Sequence, residues 1–321
     1  MQQRPLGKTN LTVSPIALGC WPISGMTSLD TSQADSLATI RACLDVGINF
    51  LDTAYVYGAD GESERLIGRA LGERRDEMVI ATKGGLAWDE AGNRVIDARP
   101  ATLRRQCEES LERLNTDRVE LLYLHAPDPR TPVGESAGEL ARLLDEGKTR
   151  AVGASNLSLE QLDEFAAHCR LDAVQLNYNL LQREIEREII PWCQQRQVSV
   201  MVYWPLLKGL LAGKLPRDHV FAAGDGRAKY SQFQGLEWEK NQDLLDELSV
   251  VASDAGKTMA QLAINWVMYR PGITSALCGA KRPEQIRDNA AAADWKLTEE
   301  QLARIDEALD RRGQPADMKA I

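Results

Sequence analysis

The chain has little of what most functional sites are made from. Only three of its 321 residues are histidine. His168 falls in a helical stretch and His219 in a long loop, so a multi-histidine metal site lacks material and no metal is expected. The six cysteines, Cys20, Cys43, Cys107, Cys169, Cys193 and Cys278, are scattered with no CxxC pair, which suits a reducing setting. The longest nearly apolar run, Val198 to Leu207, contains Ser199 and Pro205 and falls short of the roughly 20 residues that cross a bilayer. Basic residues are outnumbered 38 to 47, for a net charge of −9, and nowhere form a stripe, so nucleic acid is not an expected partner. The opening MQQRPLGKTN lacks the apolar centre of a secretory signal, and the expected setting is the cytoplasm. No GxGxxG follows a strand, which argues against a Rossmann domain. Gly209 to Leu215 is one residue short of a P-loop and lacks its final Ser/Thr.

What is present is an alternation. After a hairpin-like start (RPLGKTNLTVS), compact apolar runs alternate with stretches of helical period. The strand candidates are PIALG, INFLDT, MVIATK, VELLYLH, AVGAS, AVQLNY, VSVMVY and TSALCG; their lack of polar alternation marks strands covered on both faces. The helical segments are 33–46, 63–74, 100–114, 135–147, 158–168, 184–197, 258–270 and 283–292. Ser158 with Gln161 and Thr258 with Gln261 have capping-box spacing, and Gly47 and Gly147 stand where helices should stop. Eight β-then-α units favour an α/β fold of the TIM type, an eight-stranded parallel (β/α)8 barrel with an N-terminal hairpin. With no linker, residues 1–321 read as a single domain. One interruption, Leu207 to about Lys240, is expected to be a lid or cofactor clamp. From Thr298, capped by Gln301, an extra C-terminal helix precedes a loose end.

Asp52, Tyr57, Lys83 and His125 lie at or just past the ends of three of these runs. A buried strand should not finish on a lysine unless the charge has a partner. Strand parity puts Lys83 on one face with Ala81 and Val79, and His125 with Tyr123 and Leu121. A phenol titrates near about 10; a nearby Lys83 would lower that value, Asp52 would hold the lysine, and His125 would offer a second hydrogen bond to a substrate oxygen. Such a group suits a carbonyl oxygen that gains charge and then a proton. Plainer readings stay open: an isolated ion pair for Lys83, a strand cap for His125, an N-cap for Asp52, and Tyr55 in competition with Tyr57.

The segment Asp52-Thr53-Ala54-Tyr55-Val56-Tyr57-Gly58, the Thr82-Lys83 strand, and Leu124-His125 followed by Pro127-Asp128-Pro129 together resemble the aldo-keto reductase superfamily over nearly the whole chain. Gly153-Ala154-Ser155-Asn156, Gln175-Leu176-Asn177-Tyr178 and Gly279-Ala280-Lys281 with Gln285 and Asn289 look like its cofactor segments. The resemblance implies an enzyme that reduces an aldehyde or ketone by hydride transfer from NADPH, with Tyr57 as acid, Lys83 and Asp52 as its tuners and His125 as an orienting donor. It implies that Ser155, Asn156 and Gln175 hold the carboxamide and that Tyr203 stacks on the nicotinamide. Trp204, Pro205, Leu206, Lys208 and Gly209 would line the pyrophosphate path, with Lys214 contributing from the long loop. Lys281, Arg282 and Arg287 form a basic patch where a helix begins near Pro283, and helix N-termini and cations both favour phosphate. With the resemblance this favours NADP over NAD.

Two departures are visible. Trp204 replaces a serine common in the family, and Cys278 stands where many relatives have proline, as small packing. Trp21 and Trp88 are candidate apolar walls, Trp21 also counting among the cofactor contacts. The Trp-Pro-Leu-Leu-Lys-Gly-Leu-Leu stretch is similar to that of bacterial reductases of sugar-like or small aldehydes. The alternative is an NADPH-binding sensor with slow turnover, like the family's potassium-channel β subunits.

Overall fold

The computed structural model describes residues 1–25 and 31–316. A short hairpin, β1 (Arg4–Pro5) and β2 (Thr12–Val13), leads into β3 (Ile16–Gly19), α1 (Gln33–Asp45), β4 (Phe50–Asp52), α2 (Glu62–Leu71) and β5 (Val79–Gly84). A second hairpin, β6 (Leu86–Trp88) and β7 (Arg94–Ile96), precedes α3 (Pro100–Leu114). There follow β8 (Leu121–Leu124), α4 (Val133–Asp145), β9 (Val152–Ser155), α5 (Leu159–His168), β10 (Ala173–Asn177), α6 (Ile189–Arg196) and β11 (Ser199–Tyr203). The chain ends with α7 (Gly235–Asp254), α8 (Met259–Met268), β12 (Ile273–Gly279), α9 (Pro283–Ala290) and α10 (Glu299–Arg312). The strands β3, β4, β5, β8, β9, β10, β11 and β12 pair in parallel in that order, and β12 closes onto β3. This is the expected (β/α)8 barrel. The expected capping boxes form at Ser158 and Thr258, and a third at Thr298.

Because side chains alternate along a strand, each barrel strand sends one parity inward. Ala17, Phe50, Val79, Ala81, Leu121, Tyr123, Ala151, Ala173, Met201 and Leu277 form a compact inner core, and the other parity packs beneath the helices. The Tyr123 ring fills the middle of the barrel; a Cβ on Gly153 would come within 2.3 Å of it. The first hairpin closes the floor. Leu6, Leu11 and Val13 join the inner core, and Arg4 Nη1 donates to the carbonyls of Met268 and Ile273 at 2.8 and 3.0 Å. Gly7, at φ 54°, lies so close to the Asp172 carbonyl that a Cβ would stand 2.5 Å from its oxygen.

Several expectations need correction. The long interruption ends at Gln234, because α7 begins at Gly235 and includes Lys240. It carries short 3-10 turns at Leu207–Ala212, Gly226–Lys229 and Ser231–Phe233, packed around Phe221, Phe233 and Trp238. The segment 184–197 divides into a 3-10 turn at Glu184–Glu186 and α6. The tail after α10 is tied down as far as Ala316, whose N–H donates to Glu237 and whose carbonyl accepts from Gln232; the rest of the expected loose end lies outside the described residues. No helix among the described residues is long and apolar enough to cross a membrane.

Candidate active site

The inward parity that builds the inner core continues to the C-terminal ends of the strands, and there it turns polar. Two residues beyond Phe50, Ala81, Tyr123, Gly153, Ala173 and Met201 stand Asp52, Lys83, His125, Ser155, Gln175 and Tyr203. Lys83, 1% exposed, donates to Asp52 Oδ1 at 2.6 Å, to the Thr53 carbonyl at 2.7 Å and to the Tyr57 hydroxyl at 3.4 Å. Gln175 Nε2 donates to the other Asp52 oxygen at 2.7 Å. Tyr57 is half-buried, its ring edge-on to Trp21 with centroids 5.0 Å apart and to His125 at 6.0 Å. The four sequence candidates therefore do converge.

Tyr55 points elsewhere. Its hydroxyl donates to Glu109 at 2.6 Å, and the Arg113 guanidinium lies over its ring at 4.3 Å. Arg113 also donates to the Tyr55 carbonyl and pairs with the buried Glu64, which accepts from Thr82 at 2.6 Å. The loop carrying Tyr57 is thus pinned from outside the barrel. From the mouth side, Trp88 donates its indole N–H to the Val56 carbonyl at 2.9 Å.

Burial sets the electrostatics. It pushes the Asp52 carboxyl up from the usual carboxylate range, with Lys83 and Gln175 pulling against it. Burial would lower the Lys83 ammonium, but Asp52 and Tyr57 together outweigh it and hold the lysine charged. The Tyr57 hydroxyl corrects the sequence expectation: burial pushes it up, and the Lys83 charge only partly pulls it back. The His125 imidazole is held well below its ordinary value by burial and then by Lys83, so it is neutral near pH 7. Its Nδ1 is buried without a partner, as is the Tyr123 hydroxyl below.

The cofactor candidates occupy the opposite side of the mouth. Asn156, at φ 62°, donates to the His125 carbonyl and Ser155 Oγ and accepts from the Tyr203 hydroxyl at 2.7 Å. Its two amide hydrogens are committed, while Oδ1 keeps a second lone pair. Trp204, Leu207 and Lys208 all have positive φ, at 59°, 42° and 55°. Lys208 lies between the Trp204 and Tyr230 rings, 4.0 and 4.7 Å from their centroids. Pro205 is buried and Leu206 partly so; Gly209 sits at φ 93° beneath Arg227. Lys214 is exposed past the turn.

Gly279 lies against Pro22, where a Cβ would meet the proline ring at 2.8 Å, which brings the Trp21 turn beside the α9 end. Gln285 accepts from the Lys281 N–H at 2.7 Å, and Asn289 donates to the Gly279 carbonyl at 3.4 Å. These contacts shape the segment that carries Lys281, Arg282 and Arg287. Cys278 is buried and its thiol pushed up by burial, as befits packing. Among the described residues no group of three or more His, Cys, Asp or Glu could hold a metal ion. Sequence reasoning missed Tyr230, whose ring meets Trp204 and Lys208 from a segment with no strong periodicity, and the short hairpin that carries Arg94 opposite Trp88.

The aldo/keto reductase family model matches residues 15–310. The chain is 35% identical over 314 residues to the aldo-keto reductase YhdN of Bacillus subtilis, covering 97% of this chain and 94% of that one. It is 34% identical over 329 residues to the NADH-specific methylglyoxal reductase of Escherichia coli, covering 97% and 100%. A glycerol dehydrogenase structure from Gluconobacter oxydans superposes with a TM-score of 0.90 at 37% identity, over 99% of this chain and 98% of that one. A holo-form aldo-keto reductase from Bacillus halodurans gives 0.80 at 27%, over 100% and 99%.

Proposed function

The chain belongs to the aldo/keto reductase family and is an oxidoreductase, and from that premise we propose that it reduces an aldehyde or ketone to an alcohol with NADPH, Tyr57 giving the proton. One observation carries the reading: a buried lysine, neutralised by Asp52 at 2.6 Å, has its remaining reach on the Tyr57 hydroxyl. When bound, the nicotinamide supplies a hydride to the carbonyl carbon. Tyr57, kept protonated by burial, donates its proton to the carbonyl oxygen as charge develops there. Lys83 then faces the phenolate and stabilises it, and Asp52 keeps the lysine charged and aimed. His125, neutral, donates a hydrogen bond to the same oxygen and orients it without competing as an acid. Tyr203 would stack on the nicotinamide, with Ser155, Asn156 and Gln175 against its carboxamide and Trp21 walling the mouth. Trp204, Pro205, Leu206, Lys208 and Gly209 would follow the pyrophosphate.

The nucleotide preference rests on Lys281 and Arg282 at the N-terminal end of α9, where cations and helix N–H groups suit a 2′-phosphate; Arg287 stands in the last turn of the same helix. One relative is named as NADH-specific, so this is a property to measure on this chain. Steady-state oxidation of NADPH and NADH with a panel of small, aromatic and sugar aldehydes tests the whole reading. Tyr57→Phe should lose about 10² to 10⁴ of the rate while fluorescence titration shows unchanged NADPH affinity. Wild-type turnover in that variant would remove Tyr57 as the acid. Lys281→Ala should weaken NADPH by about tenfold and NADH hardly at all; equal losses would dispose of the 2′-phosphate contact. Tight NADPH binding without turnover on any aldehyde would favour the sensor reading.

A further inference from the structure

The second hairpin rises from the end of β5, which stands across the ring of eight strands from β11. In its register Arg94 lies directly opposite Trp88, so the two side chains share one face of the hairpin. That face is the one turned to the Tyr57 loop: Trp88 and Tyr57 both pack against the cluster of Ala54, Val56 and Leu86, and Trp88 is hydrogen-bonded to the Val56 carbonyl.

Arg94 is exposed on that face. Its charge bears on His125 at the end of β8 and on Tyr203, Lys208 and Tyr230 across the ring. Arg94 makes no ion pair or hydrogen bond among the described residues, and the acid at the hairpin turn, Asp89, is committed to Asn93. Lys208 likewise has no carboxylate partner; its charge is opposed by Lys229 and Arg94. On a chain of net charge −9, the mouth carries cations with nothing to balance them.

We infer that Arg94 anchors a carboxylate or phosphate carried by the carbonyl substrate, so that the preferred substrates are anionic aldehydes or ketones. This rests on the reading of the mouth as a carbonyl-reducing site. Three cations of the mouth, Arg94, Lys208 and Lys229, have no carboxylate partner among the described residues. Lys208 and Lys229, both against the Tyr230 ring, flank the segment proposed for the pyrophosphate, and Arg94 is left on the hairpin face it shares with Trp88, which with Tyr57 packs on Ala54 and Val56. A guanidinium takes an oxyanion in a bidentate grip, and an unscreened cation in a cleft raises the local concentration of anions.

The test uses matched pairs at saturating NADPH: succinic semialdehyde against butanal, and glycolaldehyde phosphate against glycolaldehyde. In wild type the kcat/KM of each anionic member should exceed that of its neutral partner by about tenfold, through KM; in Arg94→Gln the ratio should fall to about one. A ratio near one in wild type, or a ratio that survives in Arg94→Gln, overturns the inference while turnover of the neutral aldehydes leaves the proposed function standing. A ratio that survives together with weakened NADPH binding would assign Arg94 to the cofactor's pyrophosphate instead. If no aldehyde turns over, the proposed function fails, and benzoate binding to the NADPH complex, read by cofactor fluorescence, decides the inference alone. Binding lost in Arg94→Gln supports the anion anchor, and no binding in wild type sinks it.

Discussion

At the floor of the barrel the groups that tie the hairpin and the first strands together are matched, although Asp172 Oδ1 is buried without a hydrogen-bond partner. Arg4 reaches three main-chain carbonyls, Asn49 bonds Ser14 and Thr12, and Ser275 bonds the Ser14 carbonyl. At the mouth the matching is deliberately incomplete: His125 Nδ1 and the Tyr123 hydroxyl are buried without partners, the Lys83 to Tyr57 contact is long at 3.4 Å, and Lys208 rests between rings. The backbone repeats the contrast. Among the described residues six non-glycine positions have positive φ: Asn115 and Gln197 close α3 and α6, and the other four, Asn156, Trp204, Leu207 and Lys208, all stand at the mouth. Such conformations cost about 1–3 kcal/mol each and persist where the surroundings over-determine them. One end of the fold is built for stability and the other for chemistry, the division expected of a barrel of this kind.

Lys83→Met is the severest way to break that division, because it touches both. It strands Asp52 in the interior, and removing one partner of a buried pair costs about 3–5 kcal/mol; urea denaturation should show the loss, and turnover should collapse with it. Asp52→Asn with Lys83→Met should recover much of the stability and none of the activity. Arg4→Ala tests the other end. It gives up bonds to three carbonyls, so a loss of about 1–3 kcal/mol is expected, with kcat and KM unmoved in the folded enzyme. A fall in kcat would show that the floor is coupled to the chemistry. The smallest effect concerns Lys208, whose ammonium is pushed down to about 8 by burial and then by Lys229 and Arg94. It is charged below that pH and loses its proton as pH rises through it, so NADPH affinity should weaken by up to about tenfold between pH 7 and 9. Lys208→Met should flatten that profile; an unchanged profile would place the lysine away from the phosphates.

The eight strands are legible in the sequence because each is a short apolar run covered on both faces, and parity alone puts Lys83 and His125 on the inner face with Val79, Ala81, Leu121 and Tyr123. The grouping of Asp52, Lys83 and His125 is legible because each stands at or just past the end of a strand, but the place of Tyr57, in the loop beyond β4, is not set by parity. Other parts are not legible. The three-residue strands Leu86–Trp88 and Arg94–Ile96 are too short to show alternation. The helix Gly235–Asp254 opens on a glycine, without a side-chain cap, after an aromatic loop that masks its start. Which tyrosine meets Lys83 depends on Glu109 and Arg113 holding Tyr55 outward, contacts more than fifty residues away in sequence. The balance of burial against Lys83 at the Tyr57 hydroxyl is likewise a matter of depth, which spacing does not record.

The floor hairpin has a consequence for how the molecule is made. Arg4 and the carbonyls it caps, Met268, Ile273 and Thr274, are separated by 264 to 270 residues. At about 5–20 residues per second, the ribosome needs on the order of tens of seconds to deliver the second set after the first. During that interval Leu6, Leu11 and Val13 have no finished floor to fill, and closure waits on β12. The hairpin is thus made long before the strand that completes its site, and it is among the last parts of the barrel to find its place.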